Sequence, residues 1–119
     1  MAFQTEVEFT LPKGYLDGEG VLHREGVMRL ATAADEILPL KDPRVRENAA
    51  YLTIIVLARV VTRLGSLPDI NTQVVEGLFA SDLSYLQALY ESLNGERGDE
   101  AVAALFERTA REFGVMGEA

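Results

Sequence analysis

The most continuous apolar stretch of the chain lies in its middle, between Asn48 and Leu64. From Tyr51 onward it reads YLTIIVLARVVTRL, and only two threonines and two arginines interrupt it. A helix that is apolar on nearly every side must be covered almost all round. We therefore predict that Tyr51–Leu64 is the central helix of the fold. A chain this small has few elements with which to cover it, so a homo-oligomer is one way to complete the cover.

The two arginines of this stretch, Arg59 and Arg63, are four residues apart and would share one face of a helix. We predict that they form a structural polar edge, each paired with a carboxylate of this chain or of a neighbouring subunit. Plain solvation of both side chains is the alternative. The stretch is shorter than the roughly 20 apolar residues of a membrane span and carries two charges, so no membrane span is predicted.

The N-terminal part of the chain has the period-two pattern of a sheet. Apolar and polar residues alternate over Thr5–Leu11, which predicts a half-buried strand that ends at Pro12. The segment Lys13–Gly26 is rich in turn residues, and we expect a small hairpin around Asp17–Gly20. A second strand, Val27–Leu30, then returns to pair with the first.

Two helix starts follow the predicted strands. Thr32 and Asp35 resemble a capping box, so a short helix is predicted from Thr32 to just before Pro39. The pair Asp42-Pro43 marks the next start, because Asp caps free amides and Pro tolerates the first helical position. This second helix either runs into the central helix or stops near residue 48 and restarts.

The C-terminal half reads as a series of helices. Gly65 is predicted to end the central helix in the left-handed conformation. A short helix is expected over Thr72–Phe79, followed by a longer one that Ser81 caps and that closes at Asn94-Gly95. The sequence GERGD at residues 95–99 is linker-like, and a last amphipathic helix is predicted from Asp99 to about residue 113.

These elements predict an α+β fold with a small N-terminal antiparallel β-hairpin unit packed on a mainly α-helical domain. We expect residues 1–94 to form this single domain and residues 95–119 to form a hinge and a C-terminal amphipathic helix. That helix either folds back on the central helix or docks on a partner. Its predicted partner-binding side chains are Val102, Leu105, Phe106 and Phe113.

Composition narrows the classes of function. The 119 residues include 19 acidic and 11 basic side chains, so the net charge of −8 argues against nucleic acid as a partner. The absence of cysteine excludes disulfides and thiol chemistry and agrees with a cytoplasmic protein. The first residues, MAFQTEVEF, lack the features of a secretory signal.

Candidate chemistry is sparse. The only histidine, His23, lies in the turn-rich segment and is interpreted as a surface residue. The carboxylate pairs Asp35-Glu36 and Asp99-Glu100 sit where a helix start favours negative charge, so they are interpreted as capping residues. The glycine spacing fits neither phosphate-binding motif, and GxSxG and HExxH are absent. We predict no catalytic, cofactor or metal site, and a protein that is not an enzyme.

Several short segments of the sequence resemble a known protein family, and this resemblance says more about function than the composition does. Its segments are FTLPKGY (Phe9–Tyr15), HREG (His23–Gly26), MRLATAADEI (Met28–Ile37), DPRV (Asp42–Val45), VTRLGSL (Val61–Leu67) and EGLFASDLSYLQALY (Glu76–Tyr90). In this order they resemble the small tail assembly proteins, or tail assembly chaperones, of contractile-tailed phages and contractile injection systems, and the related baseplate assembly proteins. The match covers roughly residues 5 to 94 and brings no catalytic residues with it.

The resemblance implies a protein that binds other tail proteins, such as tape-measure, tube or baseplate proteins, and that catalyses nothing. Assembly proteins need exposed apolar faces and tethered segments. Two alternatives stay open: a structural baseplate or tail component that remains in the particle, and a small-molecule-binding domain, which would need convergent polar groups in a cleft.

Overall fold

The structure is a computed structural model, and it describes residues 5–95. The predicted α+β class is confirmed: a three-stranded antiparallel sheet in the order β1-β2-β3 packs against helices. The elements are β1 (Glu6–Leu16), β2 (Leu22–Arg29), α1 (Ala33–Ile37), α2 (Pro43–Glu47), α3 (Tyr51–Val60), β3 (Val61–Leu64), α4 (Thr72–Glu76) and α5 (Ala80–Asn94). A single 3₁₀ turn, Leu38–Lys41, joins α1 to the loop before α2.

Strands β1 and β2 form one long hairpin whose tip is the predicted turn. The amide of Gly20 donates to the carbonyl of Asp17 over 3.1 Å. The predicted strand limits are wrong, because β1 continues past Pro12 to Leu16 and β2 already begins at Leu22. Pro12 fits here since β1 is an edge strand, and its pairing with β2 is irregular between Thr10 and Tyr15.

The central helix is shorter than predicted. It ends at Val60, and the next four residues form β3, which pairs antiparallel with β2. The β-branched run Val60-Val61-Thr62 fits a strand better than a helix, and β2 offers a free edge for pairing. Gly65 has a positive φ of 57°, as predicted, although it follows a strand and not a helix.

Helix α3 is the centre of the core, as predicted. All ten of its residues are buried or half-buried. The fully or nearly fully buried members are Leu52, Thr53, Ile55, Val56, Leu57 and Val60. Helix α2 stops at Glu47 and α3 begins at Tyr51, so the chain stops and restarts near Asn48. Apolar residues of β1, β2, α4 and α5 complete the same cluster.

Local signals explain the remaining helix limits. Thr32 and Asp35 form the predicted capping box of α1, and Asp42 caps α2 by accepting from the amide of Arg44. Helix α5 starts one residue before Ser81, with Phe79 at the N-cap position and no side-chain cap. The predicted hinge beyond Gly95 and the C-terminal helix lie outside the described residues.

Candidate protein-interaction surface

The carboxylate of Asp82 ties α5 to β1. It is completely buried, and its two oxygens accept from the amides of Lys13 and Gly14 over 2.9 and 2.8 Å. Gly14 has a φ of 105°, and this conformation turns two successive amides of the irregular part of β1 toward one carboxylate. The LPKG and SDLSYL segments of the sequence therefore meet in space.

His23 is buried, so its interpretation as a surface residue was wrong. Only 3% of its surface is exposed, and its Nε2 lies 2.8 Å from Oδ2 of Asp17. The amide of Ser66 donates to Nδ1 over 3.2 Å, so the proton resides on Nε2, which donates to Asp17. The hydrogen bond from His23 holds the pKa of the Asp17 carboxyl below its usual range. This chain of bonds locks the hairpin tip onto the loop after β3.

The third carboxylate, Asp35, is a buried hub as well as the capping residue that was predicted. Arg29 binds it with two guanidinium nitrogens at 2.7 and 3.1 Å, and Arg59 donates to it through Nε at 2.9 Å. Arg29 also donates to the carbonyl of Arg59 over 2.9 Å. The bonds from Arg29, from the backbone of Thr32 and from Arg59 hold the pKa of Asp35 well below its usual range. The hub joins β2, α1 and α3.

Of the two arginines of the predicted polar edge, only Arg59 has the predicted carboxylate partner within the described residues. Arg59 pairs with a carboxylate of its own chain. Arg63 does not share a helix face with it, because Arg63 lies on β3 with its side chain exposed. Among residues 5–95, none of the ion pairs involves Arg63.

A polar depression of about 520 Å³ lies between α2, α3 and α4. Two of its charged side chains, Arg44 and Glu76, are bound to neighbouring groups. Arg44 stacks over the ring of Tyr51 at 5.0 Å, forms an ion pair with Asp42 and donates to the hydroxyl of Thr72. The Tyr51 hydroxyl donates to Glu76. The groups of this depression hold α2 against α4.

Large apolar side chains are exposed in two groups and at the separate position Phe79, which is 49% exposed. The first, which we call the tip patch, consists of Leu16, Val21 and Leu22 at the hairpin tip, which are 55%, 47% and 50% exposed. The second, the α1 patch, consists of Ile37, Leu38 and Leu40, which are 56%, 47% and 42% exposed. Leu22 of the tip patch is the first residue of β2, and the α1 patch begins eight residues after β2 ends at Arg29.

The tip patch is held rigidly. Leu16 pairs with Leu22 across the hairpin, and Oδ1 of Asp17 accepts from the amides of Glu19 and Val21 over 2.8 and 2.9 Å. With Oδ2 bound to His23, both oxygens of Asp17 hold the tip in one shape. Exposed apolar side chains on a preorganised turn lose little conformational entropy when they bind a partner.

The predicted partner-binding side chains Val102, Leu105, Phe106 and Phe113 lie outside the described residues. The tip and α1 patches were not predicted as sites. The signal for the tip patch was the sequence YLDGEGVL, in which large apolar residues flank a turn on both sides. Within residues 5–95, no three His, Cys, Asp or Glu side chains come together as metal ligands, and no helix has the length and hydropathy to cross a bilayer.

Comparisons with known proteins find no match: no family model, no curated protein and no solved structure matches the chain.

Proposed function

We propose that this protein is a non-enzymatic assembly protein of a contractile phage tail or contractile injection system, and that it binds other tail proteins in the cytoplasm. The observation that carries the proposal is the tip patch: three large apolar side chains exposed on a rigid turn. Such a turn suits an anchor that enters an apolar pocket of a partner, where a few residues carry most of the binding free energy.

The use of the ionisable groups supports binding and not turnover. A general base needs a free acceptor nitrogen, and Nδ1 of His23 is already occupied by the amide of Ser66. The Asp35 and Asp82 carboxylates hold neighbouring elements together. Each of these buried groups has a structural task that a catalytic role would disturb.

The resemblance to tail assembly proteins supplies the class of partner. The residues that carry it include Asp82, Gly14, His23 and Asp35, each of which maintains the fold. The resemblance therefore lies in the frame, and its segments end at Tyr15 and resume at His23, on either side of the tip patch. The acidic side chains Asp17 and Glu19 beside the patch favour a pocket with a basic rim.

Co-expression with the tail tube, tape-measure and baseplate proteins of a contractile-tailed phage or contractile injection system tests this proposal. A tagged chain should copurify with one of them. The variant carrying Leu16→Ser and Leu22→Ser should lose that partner, whereas Leu40→Ser, at an apolar residue of the α1 patch that is 42% exposed, should retain it. If both variants bind like the wild type, the tip patch is not the contact.

Two further measurements separate the related hypotheses. Truncation after Gly95 removes Val102, Leu105, Phe106 and Phe113, so loss of the partner on truncation assigns part of the contact to them. Mass spectrometry of purified particles distinguishes a transient assembly protein from a baseplate component, because only the latter remains in the finished particle.

A further inference from the structure

Strand β1 lies at one edge of the sheet, and part of its outer side has no strand partner among residues 5–95. The amide of Leu30 donates to the carbonyl of Thr5 over 2.8 Å, so these two residues form a hydrogen-bonded pair. Such pairs alternate along an antiparallel ladder, and the register of β1 with β2 is regular up to Thr10. The backbone N–H and C=O groups of Glu8 and Thr10 therefore point away from β2.

The bonds on the other side of β2 lead to the same assignment. Glu25 lies opposite Thr10, and its carbonyl accepts from the amide of Gly65, which follows β3, over 2.6 Å. That carbonyl faces β3, so Thr10 and Glu25 form the kind of pair that exchanges no hydrogen bonds. The backbone of Thr10 is thus directed toward the outer edge.

Farther along β1, the same strand is closed to pairing. Asp82 of α5 accepts from the amides of Lys13 and Gly14, and Pro12 has no amide to donate. Between Glu6 and Thr10, in contrast, the sequence EVEFT contains no proline or lysine, and the ladder has no bulge. Proline, lysine, bulges and covering elements are the usual protection of an edge strand. The open stretch is therefore confined to Glu6–Thr10.

The charge beside this open stretch is negative. Glu8 and Glu25 are exposed on the same face of the sheet, and neither belongs to an ion pair among residues 5–95. Strands lie about 4.8 Å apart, so a strand added to β1 would lie one spacing from Glu8 and two from Glu25. The exposed Arg63 on β3 is three spacings away, about 14 Å, which exceeds the Debye length of about 8 Å at physiological ionic strength. The two carboxylates therefore dominate the field at the added strand.

We propose that β1 binds an extended, basic segment of another protein, which adds a fourth strand at Glu6–Thr10. Its main chain bonds to the outward groups of Glu8 and Thr10, and its Lys or Arg side chains lie beside Glu8. A second copy of this chain is a poorer occupant. Pairing two β1 strands about Glu8 or Phe9 brings the Glu8 side chains of both copies opposite or diagonal to each other, and each copy carries a net charge of −8. This surface is separate from the tip patch, and the inference does not depend on the proposed function.

Hydrogen exchange followed by NMR on the full chain tests the proposal at single amides, with a short peptide of alternating lysine and valine as the probe. In the free protein, the amides of Glu8 and Thr10 should exchange fast and that of Phe9, which is bonded to β2, slowly. With the peptide at about ten times its Kd, exchange at Glu8 and Thr10 should slow about tenfold, because only the unbound fraction exchanges. Absence of binding, or binding without this slowing, would overturn the proposal.

Matched variants and peptides separate strand addition from attraction by the net charge. Glu8→Lys should weaken binding of the lysine–valine peptide about tenfold, because a like charge then faces its lysines. Glu47→Lys, the same charge change at an exposed position of α2, should bind like the wild type. An N-methylated form of the peptide keeps the charge and loses its edge amides, so it should not bind. Equal weakening by both substitutions, or equal binding of the N-methylated peptide, would contradict an added strand at Glu6–Thr10.

Discussion

At the scale of single residues, three carboxylates hold the fold together. Asp17 secures the hairpin tip through His23, Asp35 joins two arginines from different elements, and Asp82 binds two amides of β1. Each is paired or hydrogen-bonded, as burial of a charge requires. Gly65 leaves no room for a side chain, because a Cβ there would clash with the ring of His23.

Asp82→Asn should destabilise the protein by about 2–4 kcal/mol. An amide side chain offers only one oxygen, so it leaves one of the two β1 amides facing an NH₂ group with no acceptor. Urea unfolding measures the difference. Glu91→Gln, on the exposed side of the same helix, is the matched control and should change stability by less than about 0.5 kcal/mol. Equal stability of both variants would show that the hydrogen bonds of Asp82 to β1 contribute nothing to the free energy of unfolding.

Asp35→Asn should cost about 3 kcal/mol at neutral pH, because it leaves two arginines without their carboxylate. The sign of the pH dependence follows from the lowered pKa of Asp35. A carboxyl that is more acidic in the folded state stabilises the fold above its unfolded pKa of about 3.9 and loses that contribution as pH falls toward its folded value.

Unfolding measured between about pH 6 and pH 3 checks this account. The wild type should lose stability over this range, and Asp35→Asn should lose less of it. Asp69→Asn, at an exposed loop position, serves as the control and should follow the wild type. A pH profile of Asp35→Asn that runs parallel to the wild type would contradict the role of the hub.

The burial of His23 was not predicted because the pattern of buried residues along β2 is irregular. Counting back in steps of two from buried Met28 places Gly26 and Arg24 inward and His23 outward. In the structure, Arg24 and Glu25 are both exposed, so the alternation changes phase between Gly26 and His23. The partner strand is irregular at the same level, between Thr10 and Tyr15. Simple alternation cannot reveal such a change, because a bulge depends on both strands.

At the scale of elements, the sequence was informative where the signal is local. The capping box at Thr32, the start at Asp42-Pro43 and the apolar α3 all appear as predicted. Strand β3 was missed because its four residues continue the apolar run of α3 without a break. Helix α3 ends and β3 begins at this point because residues 61–64 pair with the free edge of β2. This non-local pairing outweighs the helical pattern of the sequence.

Because α3 lies at the centre of the core, we expect substitution of its buried residues to lower the stability of the fold strongly. Leu57 is completely buried, so Leu57→Ala should cost about 3 kcal/mol and Leu57→Asp should prevent folding. Leu22→Ala, which removes the same atoms from an exposed position, should cost less than about 0.5 kcal/mol. Thermal unfolding followed by circular dichroism compares them. A cooperatively melting Leu57→Asp protein would contradict the core assignment.

At the scale of the whole molecule, the tip patch lies at the start of β2 and the α1 patch lies on the elements that follow the end of β2 in the chain. The frame between them is fixed by the three carboxylates and by the cluster around α3. The sequence predicted the α+β frame, whereas the patches emerged only once the exposed side chains were placed in three dimensions.

The most direct test of association through the tip patch is the affinity for each candidate tail protein (tail tube, tape-measure or baseplate protein), measured by titration calorimetry. The Leu16→Ser/Leu22→Ser variant should bind at least tenfold more weakly than the wild type, since losing two apolar anchors costs about 1.4 kcal/mol or more. Leu40→Ser should bind like the wild type. Equal affinities for all three proteins would contradict association through the tip patch.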